Sequence, residues 1–414
     1  MENSELIEKK GQKINNQLLR SILLIALACL VFGVQQGVHD NYGIMMNGLL
    51  GTTGLDYTHI SFCKAVGDLI YGFAQPFMGM LAIKTSSTFV LLSGIGLMVG
   101  GLCLTPLCMN FVTLLLCFGI MLPLGTTGLA FGILMSAITP IIGEKKAAAA
   151  SGLVQAAAGI GDALMSPALE SMITNSGVQL AMSVFAIPFL VFIPVVIWIG
   201  AMNRKYAGHE ETEEVKNESM VSIIRTGLQD RDYKLVTLAF GTCGFNMSII
   251  EAHLFTQFLS WGISNSTASL AMTVYGIFTM IGAAVSGLLC GKVPMNRVLG
   301  TVYAIRVVVS IGMLVLPKTP YLAFAATALL GCSGDATVPP TTSIITKRFG
   351  AARMAVLYGF SLIGHQIGAF LSSYLGGLFV DNGYGFSPLW IMNMCLAAFA
   401  SICSYRISSK TMYD

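Results

Sequence analysis

Nine ionisable side chains sit where ionisable groups are costly, inside long apolar runs: Asp40, Lys64, Asp68, Asp162, Glu251, His253, Arg306, Asp335 and His365. An Asp, Lys or Arg at the centre of a bilayer costs about 2.5–3.5 kcal/mol on insertion scales, so each needs a partner or a task. The tasks open to such groups are proton carriage, contact with a polar solute, and ion pairing between helices. Lys64 and Asp68 are four apart and share a helical face, so they either neutralise each other or form a pair that opens and closes. Asp40 lies in the polar stretch QQGVHDNYG with Gln36 and Tyr42. It reads as a proton carrier or a solute contact, or the stretch lies in an outer vestibule.

Further along, Glu251 and His253 are two apart, and side chains at that spacing point about 200° apart on a helix. Asn246 precedes His253 by seven and shares its face. His253 is therefore expected to look into the interior, with Glu251 a half-buried proton carrier or a packing contact. Arg306 is the one permanently charged arginine within an apolar run. It is suited to binding a carboxylate bidentately, or to anchoring Glu251 or Asp335. Asp335 precedes Pro339 and Pro340, which cannot donate backbone hydrogen bonds, so a kink and freed carbonyls are expected there as a candidate gate. Two cations stand against five acids (Asp40, Asp68, Asp162, Glu251, Asp335), a balance suited to proton exchange.

What holds these residues must be a membrane-embedded bundle. The chain has 414 residues, 55% hydrophobic and 10% charged, with a mean hydropathy of +0.75. Soluble domains carry about 25% charged residues, so this composition excludes a soluble globule, as well as disorder, a coiled coil and a disulfide scaffold. Spans of about 20 apolar residues are predicted at 18–48, 58–83, 87–107, 110–137, 147–171, 178–202, 234–260, 267–290, 297–316, 320–345, 353–380 and 386–405. The polar stretch 203–233 divides them into six and six. The expected organisation is an N-terminal segment 1–17, a first bundle 18–202, a linker 203–233, a second bundle 234–405 and a tail 406–414. Twenty of the 23 Lys and Arg fall on one side of this topology, which places both termini in the cytoplasm by the positive-inside rule. The charged start runs into the first span with no AxA-like site, so that span is expected to stay. The net charge of +3 is segregated by topology and does not point to nucleic acid.

The ten cysteines read as buried small hydrophobes, with no CxxC and no metal-ligand spacing to histidine. There is no GxxxxGK[ST], no HExxH and no catalytic GxSxG elbow, so neither ATP hydrolysis nor another enzymatic activity is expected, and no cofactor or metal. A membrane-embedded enzyme is the competing class, and a channel lacks a filter-like repeat.

Twelve spans in two halves around a central loop resemble the major facilitator superfamily, whose halves are related by an axis along the membrane normal. GLLCGKVPMNR (287–297) looks like its loop of glycines and basic residues, and GLVQAAAGIGDALMSP is similar to its glycine-rich fifth helix. YGFAQPFMG (71–79), CGFNMSIIEAHL (243–254), GDATVPPT (334–341) and GHQIGAF (364–370) resemble a bacterial branch close to the monocarboxylate porters. The eighth span, TASLAMTVYGIFTMIGAAVSGLLC, lacks the Asp and Arg those porters carry there. Aligning GIGDAL with LIGHQI sets Asp162 and His365 at matching positions of the repeat, facing each other across the cavity.

The resemblance implies an all-α fold of twelve transmembrane helices in two six-helix bundles, in a bacterial cytoplasmic membrane and functional as a monomer. It implies a secondary transporter for a small organic solute, foremost a monocarboxylate, driven by protons or exchange. The alternative is an exporter of drugs or amphipathic cations.

Overall fold

The computed structural model describes the backbone of residues 2–142, 144–206 and 220–408, and the side chains of most of these residues. The remainder of the expected linker, 207–219, and of the tail, 409–414, lies outside the described residues. The described chain is helical nearly throughout and crosses twelve times. We number the crossings α1 to α12. In the first half α1 joins Glu2–Asp40 to Tyr42–Thr53, α2 is Tyr57–Lys84, α3 is Ser87–Leu104, and α4 runs from Phe111 to Ile142. The long helix Glu144–Tyr206 turns at Gly177, whose φ of +80° favours glycine, and so supplies two crossings: α5 before the turn and α6 after it. In the second half α7 runs from Arg231 to Ser260, α8 is Asn265–Cys290, α9 is Met295–Val315, α10 runs from Pro320 to Phe349, α11 is Ala351–Asp381 and α12 is Ser387–Tyr405.

Length and composition explain the crossings. Leu19–Asp40 has 22 residues and a mean hydropathy of 2.1; at 1.5 Å per residue it reaches about 33 Å, enough for a hydrocarbon core of about 30 Å. Polar residues between the apolar runs start the helices, because their side chains accept the first free backbone N–H groups. Asp56 opens α2 by accepting from His59 N (2.8 Å), Ser86 opens α3 by accepting from Phe89 N (3.1 Å), and Asp230 opens α7 by accepting from Tyr233 N (2.8 Å). Large apolar residues such as Phe77, Leu164, Val308 and Ile391 remain exposed on the outside, whereas the charged residues of the spans are buried inside. That inversion suits a protein surrounded by lipid. The expected linker is not wholly irregular: Met220–Gln229 is an amphipathic helix that tucks Ile223 and Gly227 against α7 and α11.

The two halves repeat one packing scheme. Gly161 of α5 lies so close to Gly33 of α1 that any side chain would collide with its carbonyl, and Gly368 of α11 lies against the carbonyl of Gly241 of α7 in the same way. The glycine that aligns with Gly161, Gly364, is in ordinary contact with Gly241, so the tight contact falls one turn later in the second half. Across the halves, α2 packs on α11 and α5 on α8. A series of hydrogen bonds joins them at the end away from the termini: Thr58 N donates to Asp381 (2.6 Å), Tyr57 Oη to Ala252 O (3.2 Å), Ser166 Oγ to Ser269 O (3.1 Å) and Thr273 Oγ1 to Ala163 O (3.1 Å). The bundle is closed at that end.

Candidate functional site

Lys64 is the centre of the polar core. Its ammonium donates to Asp68 Oδ1 on the same helix (2.7 Å) and to Glu251 Oε2 on the opposite half (3.0 Å). Ser248 Oγ lies at 3.4 Å and the Tyr42 ring centroid at 5.8 Å. The second oxygen of Asp68 accepts from Ser373 Oγ of α11 (3.0 Å), whose hydroxyl also pairs with Ser248 (2.6 Å). The i,i+4 spacing read from the sequence does bring Lys64 and Asp68 together, and folding adds a second acid from 187 residues away. In so dry a site two carboxylates around one ammonium are strongly attracted to it, and none of the three can be left unpaired without a large cost.

Beside this trio lies a second group from the end of α1. Gln36 Nε2 donates to Asp40 Oδ1 (2.6 Å), and His39 Nδ1 lies 3.1 Å from the same oxygen. Ligand-type atoms of His39, Asp40 and Glu251 all fall within 4.8 Å of one another, the one such trio among the described residues. Glu251 of that trio is already paired with Lys64. His39 was hidden in the polar stretch of α1. The signal that could have found it is its place next to Asp40 and its aromatic neighbours Tyr42 and Tyr71, with ring centroids at 5.6 and 4.9 Å.

Three expectations are corrected. His253 was expected to be the one that looks into the interior, yet it is Glu251 that joins the polar core. Over Ile249–Leu254 the helix is π-helical, a wider turn than the α-helix on either side. Glu251 reaches Lys64, while His253 is fully buried between Tyr57 Oη (2.8 Å from Nδ1) and Ser373 O (3.0 Å from Nε2). Asn246 is buried too, with both ends of its amide unpartnered. Arg306 was expected to anchor Glu251 or Asp335, or to hold a carboxylate. Its Nη2 instead donates to the carbonyls of Ser333 (2.5 Å) and Gly334 (2.9 Å), its Nη1 lies 3.1 Å from Cys243 Sγ, and its plane rests on Tyr303. Finally, Asp162 and His365 do not face each other. Asp162 looks at Asn41 of α1 and Gly276 of α8, whereas the His365 ring stacks near Phe240 of α7 at 5.0 Å.

The break in α10 lies where the prolines suggested, with its cause visible. Helix Pro320–Ser333 ends, a single tight turn covers Asp335–Thr337, and Val338–Phe349 resumes with Pro339 and Pro340 in its first turn, where a missing N–H costs nothing. Arg306 caps the carbonyls so freed. The Asp335 carboxylate is half-buried and forms no hydrogen bond or ion pair with a described residue. On the side of the termini, Arg348 bridges Asp230 (2.5 Å) and Asp232 (2.7 Å), tying α10 to the start of α7. Partial burial raises the Asp230 carboxyl, but the Arg348 hydrogen bond and the Tyr233 N–H outweigh it and hold the group below its usual value.

Comparisons with known proteins agree with this architecture. The sequence profile of the Major Facilitator Superfamily matches residues 21–260 and again 235–411. Among curated relatives, the uncharacterized MFS-type transporter YcxA of Bacillus subtilis (strain 168) is 26% identical over 239 residues, covering 56% of this chain. The chain spans only 57% of that relative's length. Among solved structures, a D-xylose-proton symporter superposes with a TM-score of 0.70 at 13% identity, covering 95% of this chain and 99% of the other. A bacterial homologue of the human lysosomal transporter Spinster, inward-facing and unoccupied, gives 0.70 at 14%, covering 95% and 96%. The E. coli fucose:proton symporter in its outward conformation gives 0.61 at 13%, covering 94% and 99%. At such identities these structures establish the fold alone. With the profile matched over both halves, the chain belongs to the Major Facilitator Superfamily and is a multi-pass membrane protein.

Proposed function

We propose that this protein is a proton-coupled secondary transporter of a small organic solute, working by alternating access, and that the Lys64 cluster is its coupling gate. The observation that carries this reading is Lys64 itself, bonded to Asp68 in its own half and to Glu251 in the other. Opening the end away from the termini must pull Glu251 from Lys64. That separation strands a buried carboxylate, which a proton relieves. The neighbouring Asp40 and His39, bonded to each other at 3.1 Å and within 4.8 Å of Glu251, supply a route for that proton. With both termini cytoplasmic, the closed end is the exterior and this is the inward-facing state.

The leading solute is a monocarboxylate, by resemblance and because a solute carboxylate can replace Glu251 at Lys64. A cationic or amphipathic solute is the second reading. It is favoured by the unpartnered Asp335 carboxylate and by the engagement of both buried cations, Lys64 and Arg306. Counterflow in proteoliposomes with short carboxylates and amines, at two pH values, decides between them. In the same assay Glu251→Gln is expected to exchange solute but to lose pH-dependent accumulation. Full accumulation with an unchanged pH profile would overturn the gate role. Asp162→Asn and His365→Ala, both with unaltered transport and pH dependence, would confine those two residues to packing.

A further inference from the structure

Asp162 has no part in the Lys64 cluster, and its surroundings are unlike those of any other buried acid here. It is 1% exposed and no Lys, Arg or His of the described residues bonds it. One oxygen accepts from Asn41 Nδ2 at 2.9 Å; the other, Oδ2, is buried with no partner. Asn41, also 1% exposed, has a bare Oδ1 as well. Its Nδ2 donates a second time, to Gly37 O at 2.8 Å. At Asn41 the backbone of α1 leaves the helical region (φ −101°, ψ 24°), so the crossing is interrupted at this point. Interrupted transmembrane helices are where transporters of this kind expose backbone oxygens to a coupling ion.

We propose that Asp162, Asn41 and the interrupted turn of α1 form an occluded sodium-ion site. The two ends of an amide are nearly isosteric, so Asn41 can turn over and place Oδ1 where Nδ2 now lies. Oδ1 would then stand 2.8 Å from Gly37 O and 2.9 Å from Asp162 Oδ1, an all-oxygen cluster that one cation can hold together. A proton on Asp162 could be donated to the turned Asn41 Oδ1, but it would leave Gly37 O facing that oxygen and Asp162 Oδ2 still without a partner. A hard cation satisfies both. One carboxylate balances one positive charge, which selects a monovalent ion over calcium or magnesium. The close packing of Gly161 on α1 favours the smaller alkali ion.

The site also senses the contact between halves. A Cβ placed on Gly276 of α8 would lie 2.8 Å from Asp162 Oδ2, so α8 forms the lid over the carboxylate. An ion held there stabilises the state in which α5 and α8 are together.

The test needs no substrate and stands apart from the transport reading. The purified full-length protein is melted in NaCl, KCl or choline chloride at equal ionic strength and one pH. A saturable rise in Tm with Na⁺ alone is expected, and ²²Na⁺ binding near one ion per chain should accompany it. Asn41→Ala should weaken Na⁺ binding by about tenfold or more, and Asp162→Asn should abolish it. Equal Tm values in the three salts together with no ²²Na⁺ binding would overturn the proposal, even if Asp162→Asn fails to fold. A sodium effect retained in Asn41→Ala and Asp162→Asn would overturn it too.

Discussion

The two cations buried in this membrane protein are used in opposite ways. Lys64 joins the halves, with an acid on each side of the interface, and every one of its partners is a side chain. Arg306 stays within the second half and binds backbone carbonyls and a thiol, repairing the break in α10. The difference lies in what happens when the halves separate. The Lys64 contacts must break, whereas those of Arg306 can move as a rigid body. A guanidinium with a planar fork suits a fixed repair, and a single-point ammonium on a flexible stem suits exchange between partners.

This contrast can be broken experimentally, beginning at Lys64. Lys64→Ala leaves Asp68 and Glu251 buried without their counter-ion, and a loss of about 3–5 kcal/mol is expected together with loss of transport. A variant as stable and active as the wild type would remove Lys64 from the gate. Arg306→Lys comes next. It cannot serve two carbonyls and Cys243 at once, and unmade buried bonds cost about 1–3 kcal/mol, so Tm should fall. Solute affinity in the folded fraction should not change; a large affinity loss would return Arg306 to the binding site.

Smaller effects sharpen the picture at the ends of the bundle. Tyr57→Phe removes the hydroxyl between His253 and Ala252 O, and about 0.5–1.5 kcal/mol is expected, with the pH profile of transport untouched. A displaced pH profile would make His253 part of the proton path after all. The smallest effect belongs to Asp230 on the other side. Its folded value is lowered, so it adds stability above the unfolded carboxylate value of about 3.9, and this is lost as pH falls through the folded value. Asp230→Asn should therefore lower Tm slightly at neutral pH and match the wild type in acid. A gap that persists in acid would assign the loss to the helix cap.

Much of this molecule is written in local pattern. Among the described residues hydropathy marks the crossings other than α2 and α11, because a helix must hide its backbone from lipid wherever the chain runs. The cap residues Asp56, Ser86 and Asp230 start helices by contacts three residues long, and the Lys64–Asp68 pair is fixed by helical spacing. Prolines 339 and 340 announce the break in α10 for the same reason. Close glycine packing, of α5 on α1 and of α11 on α7, recurs in the two halves as well.

What only the tertiary structure decided is partnership. Glu251 could have paired with either buried cation, and it meets Lys64 from within a π-helical turn. Arg306 looked like a carboxylate binder because charge is visible in a sequence and free carbonyls are not. Asp162 and His365 hold matching places, yet a side chain points where its own neighbours leave room, and those neighbours differ between the halves: Asn41 and Gly276 for one, Phe240 for the other. Residue type and spacing determine which groups must be compensated in a membrane. Long-range packing chooses the compensating group.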